Sequence, residues 1–146
     1  MQPRDADPWD LARFLREQVG MHEAAVRELR AGRKTGHWIW YELPQLAGLG
    51  RSSMSVRFAI SGLDEARAYI AHPVLGPRLI ECCEALLIHR GRAATDILGP
   101  IDAVKVRSSM TLFHRADPEA AVFRRVLDAF YGGTPDPRTD ELLLRS

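Results

Sequence analysis

The chain has 146 residues and a formal net charge of +1, which is the size of one ordinary domain. Hydrophobic residues make up 46% and charged residues 27%, a composition that excludes disordered, collagen-like and coiled-coil proteins. The near-zero net charge argues against a dedicated nucleic-acid or membrane-surface binder, because such proteins carry a strong basic excess.

Start and stop signals for helices recur along the chain, with capping residues or prolines before apolar runs and glycines after them. Helices are predicted over 9–31 with a break near 20, then over 61–71, 73–90, 101–113, 118–131 and 137–144. Ser61 and Asp64 have capping-box spacing at the second start. No stretch alternates with the period of a strand. We therefore predict an all-α fold: one compact domain over 1–146 with about six to eight helices, no significant sheet and a flexible segment 1–6.

Several classes of protein and of site are excluded by what the sequence lacks. No run of about 18 apolar residues is present to span a membrane, and the polar start has no signal-peptide core. The only cysteines, Cys82 and Cys83, are adjacent and read as small buried side chains in a reducing compartment. The five histidines have no metal-binding spacing, so no metal site is predicted, and His22 is expected in the core. These features predict a soluble, cytoplasmic protein.

The segment GRKTGHWIWY, residues 32–41, holds two cations, an imidazole, two indoles and a phenol. On a helical turn, His37, Trp40 and Tyr41 would share one face. Such a face is suited to stacking a flat ring and giving it an imidazole hydrogen bond. Two structural alternatives stay open: the cations cap the preceding helix, and both indoles are core anchors.

A second polar segment, residues 102–111, places Lys105, Ser108 and Ser109 on one side of a predicted helix. An ammonium with two hydroxyls suits a phosphate or carboxylate ligand, but equally a buried structural carboxylate or an exposed polar face. The glycine-rich stretch 48–53 follows no predicted strand and lacks the lysine of a phosphate-binding loop. It is predicted to be a turn followed by a helix N-cap.

Several stretches resemble a family of small, all-helical bacterial proteins of unknown function, sometimes mislabelled calpastatin. They are ELRAGRK ending at 34, GHWIW from 36, PQLAGLG over 44–50, DEARAYIAHPVLGPRL over 64–79, ILGPIDAVKVRSSMTLF over 97–113, and FYGGTPD near the C-terminus. They cover nearly the whole chain in order. The chain departs from the family pattern at Ile39, where Met is usual, and at Glu42, where an apolar residue is usual.

The resemblance implies an all-α fold and a cytoplasmic bacterial setting, but no established activity, substrate or cofactor. The family's motif residues that carry over are Arg33, Lys34, His37, Trp38, Trp40, Pro44, Gln45, His72, Asp102, Lys105, Ser108, Ser109 and Thr111. Many of them are polar, which favours a shared pocket over a purely packed core.

Two functions of different class are compatible with these motifs. The first is a pocket for an anionic, ring-bearing small molecule, such as a nucleotide or a derivative, formed by the Arg33–Trp40 and Asp102–Thr111 segments. Its predicted ligand-binding residues are Arg33, Lys34, His37, Trp38, Trp40, Gln45, Lys105, Ser108 and Ser109. The second is a non-catalytic protein-interaction domain in which these motifs are structural. Neither hypothesis includes nucleic acid or a membrane as a partner.

Whether the protein is an enzyme stays open at the level of the sequence, and so do its cofactor and any protein partner. His37 and Asp102 are the first acid–base candidates if it is one. Lys34 and Lys105 are the only lysines among the 20 Lys and Arg residues. Codon bias explains their scarcity but not their positions, because each lies in a dense polar motif. We therefore predict that the two lysine segments converge on one site.

Overall fold

The protein, described by a computed structural model over residues 6–145, is all-α. Ten helices occur in this range: α1 (Ala12–Gln18), α2 (His22–Ala31), α3 (Ile39–Glu42), α4 (Ser53–Arg57), α5 (Leu63–Ala71), α6 (Leu75–Leu87), α7 (Ala94–Leu98), α8 (Pro100–Ala116), α9 (Ala121–Tyr131) and α10 (Pro137–Leu144). The same range contains no strand, only an isolated parallel bridge between Leu46 and Ile60. The all-α prediction is confirmed. The segment 1–6, predicted to be flexible, lies outside the described residues except for Ala6.

The predicted helix boundaries coincide with particular backbone and capping features. Gly20, with a φ of +74°, separates α1 from α2, and Gly32, with a φ of +75°, ends α2; both values favour glycine because it lacks a Cβ atom. Asp136 caps α10, since its carboxylate accepts the backbone N–H of Thr139 at 2.9 Å. Ser52 caps α4 in the same way, which agrees with the turn and N-cap predicted for 48–53.

Two details of the predicted helices are wrong. The helix count is ten rather than six to eight, because α3, α4 and α7 are short helices of four or five residues. The start of α5 is also stabilised differently from the predicted capping box. Ser61 donates from its N–H and its hydroxyl to Glu65, both at 2.9 Å, whereas Asp64 is exposed and pairs with Arg67.

The long helix α8 lies at the centre of the packing and contacts α5, α7, α9 and α10. A row of aromatic rings crosses the core, with centroids 5.1 Å apart between Phe14 and Tyr69, 5.4 Å between Tyr69 and Phe113, and 5.6 Å between Phe113 and Phe123. The short helix α3 contacts the same long helix, and this contact brings the two lysine segments together. Within residues 6–145, no helix is both long and apolar enough to cross a bilayer.

Candidate functional site

The turn after α2 directs Lys34 into the protein. The backbone N–H of Lys34 donates to the Ile97 carbonyl at 2.8 Å, which ties the turn to α7. Its side chain is only 5% exposed. The ammonium donates to the Gly36 carbonyl at 2.5 Å and lies 4.8 Å from the ring centroid of Trp38. Lys34 is therefore an interior cation, which requires a counter-charge.

Asp102, in the first turn of α8, supplies that counter-charge and joins the two lysines. Its Oδ2 lies 2.6 Å from the Lys34 Nζ, and its Oδ1 lies 3.8 Å from the Lys105 Nζ. The two lysine segments thus meet at one carboxylate. Because both oxygens face ammonium groups, Asp102 acts as a counter-ion in this arrangement.

Glu28, which the sequence reasoning did not single out, organises the loop that carries Lys34. Its Oε1 accepts the N–H of Thr35 at 2.7 Å, the N–H of Gly36 at 2.8 Å and the indole N–H of Trp38 at 3.0 Å. Burial alone would raise the pKa of Glu28, but these hydrogen bonds outweigh it and hold that pKa below its ordinary value. One carboxylate therefore stabilises the whole turn from α2 to α3.

A small cavity lies beside Lys105. It has a volume of about 10 Å³ and is lined by Ile39, Trp40, Leu43, Gln45, Leu46, Gly50, Ser55, Phe58 and Lys105. The Lys105 ammonium lies 4.8 Å from the ring centroid of Trp40. The indole Nε1 of Trp40 is buried and has no hydrogen-bond partner. A space of this size accommodates one water-sized group.

The two indoles have different environments. Trp38 is fully buried and belongs to the core. For this indole the structure agrees with the alternative in which the indoles are core anchors. Trp40 is partly buried, with the Lys105 ammonium over its ring. Stacking of a ligand ring on either indole is therefore not supported by this geometry.

The predicted face shared by His37, Trp40 and Tyr41 is wrong. The helix begins only at Ile39, so His37 precedes it and is exposed, while Tyr41 is buried and packs against Phe58 with ring centroids 5.5 Å apart. Within residues 6–145 the imidazole of His37 has no hydrogen-bond partner. The two acid–base candidates therefore have different surroundings: His37 is exposed, whereas Asp102 lies between two ammonium groups.

The Ser108 hydroxyl has partners other than the Lys105 ammonium. The Ser108 hydroxyl is buried and lies 3.2 Å from the Val104 carbonyl and 3.3 Å from the Asp136 carboxylate, at the start of α10. Ser109 is fully buried and its hydroxyl has no partner among the described residues. Among the described residues neither hydroxyl bonds to a lysine, and the assignment of Ser108 and Ser109 as ligand-binding residues stays a prediction.

The remaining predicted residues lie on either side of the site. Arg33 is exposed, and its backbone N–H donates to the Glu28 carbonyl at 3.1 Å as part of the turn. Gln45 lines the small cavity, and its carbonyl accepts the N–H of Ile60 at 2.9 Å. The site that the structure assembles is therefore Lys34, Asp102 and Lys105 with Trp40 and Gln45.

A second polar cluster is buried between α2, α3 and α6. The His22 Nδ1 lies 2.7 Å from the Glu42 Oε1, and its Nε2 lies 2.6 Å from the Glu81 Oε1. The Cys82 Sγ lies 3.8 Å from the same Glu42 oxygen. The other Glu42 oxygen, Oε2, is buried without a partner. His22 is thus a core histidine with a hydrogen-bond partner at each ring nitrogen, as expected, and one of these partners is an interior carboxyl group.

Burial and hydrogen bonding act in opposite directions in this cluster. Burial raises the pKa of Glu42, and the hydrogen bond from His22 opposes this only in part. Burial alone would lower the pKa of His22, but the two carboxylates outweigh it and raise that pKa. Burial also raises the pKa of the Cys82 thiol well above its ordinary value, and the Glu42 carboxylate adds to the rise.

Comparison with known proteins places the chain in a family. The model of a family described as a protein of unknown function, DUF1810, matches residues 8–143. The chain belongs to this family. The chain is similar to a solved structure, that of the conserved hypothetical protein Rv1873 from Mycobacterium tuberculosis. The two sequences are 49% identical, the TM-score is 0.92, and the match covers 94% of this chain and 99% of that one. No curated protein matches the chain.

In this DUF1810 protein, the residues that sequence reasoning missed are acidic. Glu28 and Glu81 lie on long amphipathic helices, where a carboxylate normally faces water, so nothing in the pattern distinguished them. Glu42, by contrast, was visible in the sequence, since it departs from the family pattern, in which an apolar residue is usual at that position.

Proposed function

We propose that the cavity beside Lys105 and Trp40 binds the anionic group of a small molecule, a carboxylate or a phosphate. The observation that carries the proposal is the buried indole N–H of Trp40, which has no partner and belongs to a residue lining the same cavity as the Lys105 ammonium. A buried donor without an acceptor is costly, and an oxyanion would supply the acceptor.

The charge balance of the site favours an anion. Lys34 and Lys105 contribute two positive charges and Asp102 one negative charge. Lys34 is fully engaged by its interior contacts, whereas the Lys105 side chain is 22% exposed and 3.8 Å from the carboxylate. One positive charge is therefore left at the edge of the cavity, where a ligand from solvent reaches it.

Other donors and one close backbone approach complete the cavity wall. Gln45 and Ser55 each bring a group that donates hydrogen bonds. A Cβ atom at Gly50 would lie 2.4 Å from the Ser55 hydroxyl oxygen, so a larger residue at 50 would press on the wall. The donors and the narrow space together suit one oxygen of a carboxylate or phosphate.

The size of the cavity narrows the ligand predicted from the sequence. A volume of about 10 Å³ takes an oxygen atom but not a ring. We therefore assign the anionic group to the cavity and place any base or sugar of a nucleotide outside it, on the exposed side toward which Lys105 opens.

The test is a thermal-shift screen followed by calorimetry, with inorganic phosphate, acetate, nucleotides, ADP-ribose and phosphosugars as probes. A ligand at 100 times its dissociation constant adds about 2.7 kcal/mol of stability, which is a shift of several degrees for a protein of this size. Trp40→Phe removes the N–H but keeps a ring, so it is expected to weaken binding about ten- to a hundredfold without loss of stability. Lys105→Gln is expected to weaken binding at least as much.

Arg125→Gln is the matched control, because it removes one positive charge from an exposed residue on α9 whose side chain has no partner among the described residues. It is expected to bind like the wild type. The proposal fails if no probe shifts the melting temperature, or if Trp40→Phe and Lys105→Gln bind like the control. In that case the lysine cluster is a structural ion network, as in the protein-interaction hypothesis.

A further inference from the structure

The buried cluster between α2, α3 and α6 brings three kinds of metal-ligating atom together. The ligand atoms of His22, Glu42 and Cys82 all lie within 4.8 Å of one another. All three residues are buried, and the Glu42 side chain has no exposed surface. The partnerless Oε2 of Glu42 is an interior carboxylate oxygen with unused capacity to bind a cation.

We propose that His22, Glu42 and Cys82 form a binding site for one divalent transition-metal ion of the Zn²⁺ type. A mixed set of imidazole nitrogen, carboxylate oxygen and thiolate sulfur suits Zn²⁺, which accepts all three, and is unlike the all-oxygen sets of Ca²⁺ or Mg²⁺. Three protein ligands leave a fourth position for water, which is the arrangement of open zinc sites.

The charge count of the loaded site supports this assignment. A divalent ion with one thiolate, one carboxylate and one neutral imidazole has a net charge of zero. The interior would thus hold a neutral unit, which avoids the large cost of an unbalanced buried charge. Loading displaces the thiol proton of Cys82 and the proton between His22 and Glu42, and both are released to solvent. The 2.7 Å contact between the His22 Nδ1 and the Glu42 Oε1 opens as the ion replaces that proton.

Glu81 provides the supporting contact that metal-bound histidines normally have. The His22 Nε2 lies 2.6 Å from the Glu81 Oε1, so Nε2–H donates there and Nδ1 is left to bind the metal. Such carboxylate–histidine–metal arrangements orient the ring and raise its basicity. The cluster also lies next to the surface, because His22 and Glu81 line a groove of about 380 Å³.

The test uses Co²⁺ as a spectroscopic probe on the full-length protein after treatment with a chelator. Thiolate ligation gives a charge-transfer band in the near ultraviolet, and we expect one Co²⁺ per chain with such a band, which Zn²⁺ then removes by displacement. Cys82→Ser is expected to abolish the band. Cys83→Ser is the matched control, because Cys83 is adjacent and equally buried, but its Sγ contacts the Met110 Sδ at 3.5 Å. The Co²⁺ band of this variant should equal that of the wild type.

A surface variant keeps the proposal testable if Cys82→Ser does not fold. The Glu81 side chain is 45% exposed, so Glu81→Gln should fold, and it is expected to keep the band but weaken Co²⁺ binding about ten- to a hundredfold. The proposal is overturned if wild-type protein gives no thiolate band at saturating Co²⁺, if folded Cys82→Ser retains the band, or if Glu81→Gln binds Co²⁺ as tightly as the wild type.

Discussion

Asp102→Asn is expected to lower the free energy of unfolding by about 3–5 kcal/mol, which is the usual cost of removing one partner of a buried ion pair. The reason is Lys34, whose side chain is only 5% exposed and whose Nζ lies 2.6 Å from the carboxylate. Asparagine at 102 removes the counter-charge, so the ammonium is left with neutral partners: the Gly36 carbonyl, the Trp38 ring and the amide oxygen of the new side chain. Urea denaturation checks this as a lower midpoint with an unchanged m-value.

The double variant Asp102→Asn/Lys34→Met tests whether the loss of stability comes from the unpaired Lys34 charge or from lost packing. It removes both charges, so it should be more stable than Asp102→Asn alone, with a coupling energy of roughly 0.5–3 kcal/mol. Asp128→Asn is the control, because Asp128 pairs with Arg124 on the exposed surface of α9, with side chains 53% and 59% exposed. That pair should contribute less than about 1 kcal/mol. Equal effects of Asp102→Asn and Asp128→Asn would contradict the expectation.

The long helices were predictable because local chemistry marks their ends. Gly32 ends α2, Asp136 caps α10, and the apolar spacing within each helix needs no tertiary information. The short helices were not predictable, because four or five residues are too few to show the apolar spacing of a helix. Their formation depends on contacts that are distant in sequence, such as those between α3 and α8.

The meeting of the lysine segments at Asp102 agrees with the convergence expected from their positions, but the different roles of the two lysines were not predictable. Lys34 points inward because its backbone is tied to Ile97 and the turn is held by Glu28, and neither contact has a signal in the sequence. The assignment of Lys105 as a ligand-binding residue stays a prediction.

The buried cluster shows a similar limit of sequence reasoning about metals. Spacing rules find ligands that lie on one helix or in one loop. Here the ligands come from three helices, and Glu42 lies 20 positions after His22 and 40 positions before Cys82 in the sequence. The absence of a spacing motif therefore says nothing about a site assembled by packing.

Glu28→Ala is expected to cost about 2–4 kcal/mol of stability. It leaves the indole N–H of the fully buried Trp38 without an acceptor, and it removes the charge that also binds the N–H groups of Thr35 and Gly36. Hydrogen bonds to charged groups contribute about 1.5–3 kcal/mol each, but water replaces those near the surface. Glu28→Gln keeps an oxygen acceptor and should cost less, about 1–2 kcal/mol. Urea denaturation at neutral pH gives both values.

The effect of Glu28 should also depend on pH in a definite direction. Because the folded state holds the pKa of Glu28 below its ordinary value, ionised Glu28 stabilises the fold above the unfolded-state pKa of about 4.3, and that stability is lost as the pH falls through the folded-state pKa. The stability difference between wild type and Glu28→Gln should therefore shrink on acidification. Glu84→Gln, an exposed carboxyl on α6, should show a small difference throughout. If the stability difference between wild type and Glu28→Gln stayed constant down to pH values well below the pKa of an ordinary carboxyl group, the carboxylate charge would not be what holds the turn.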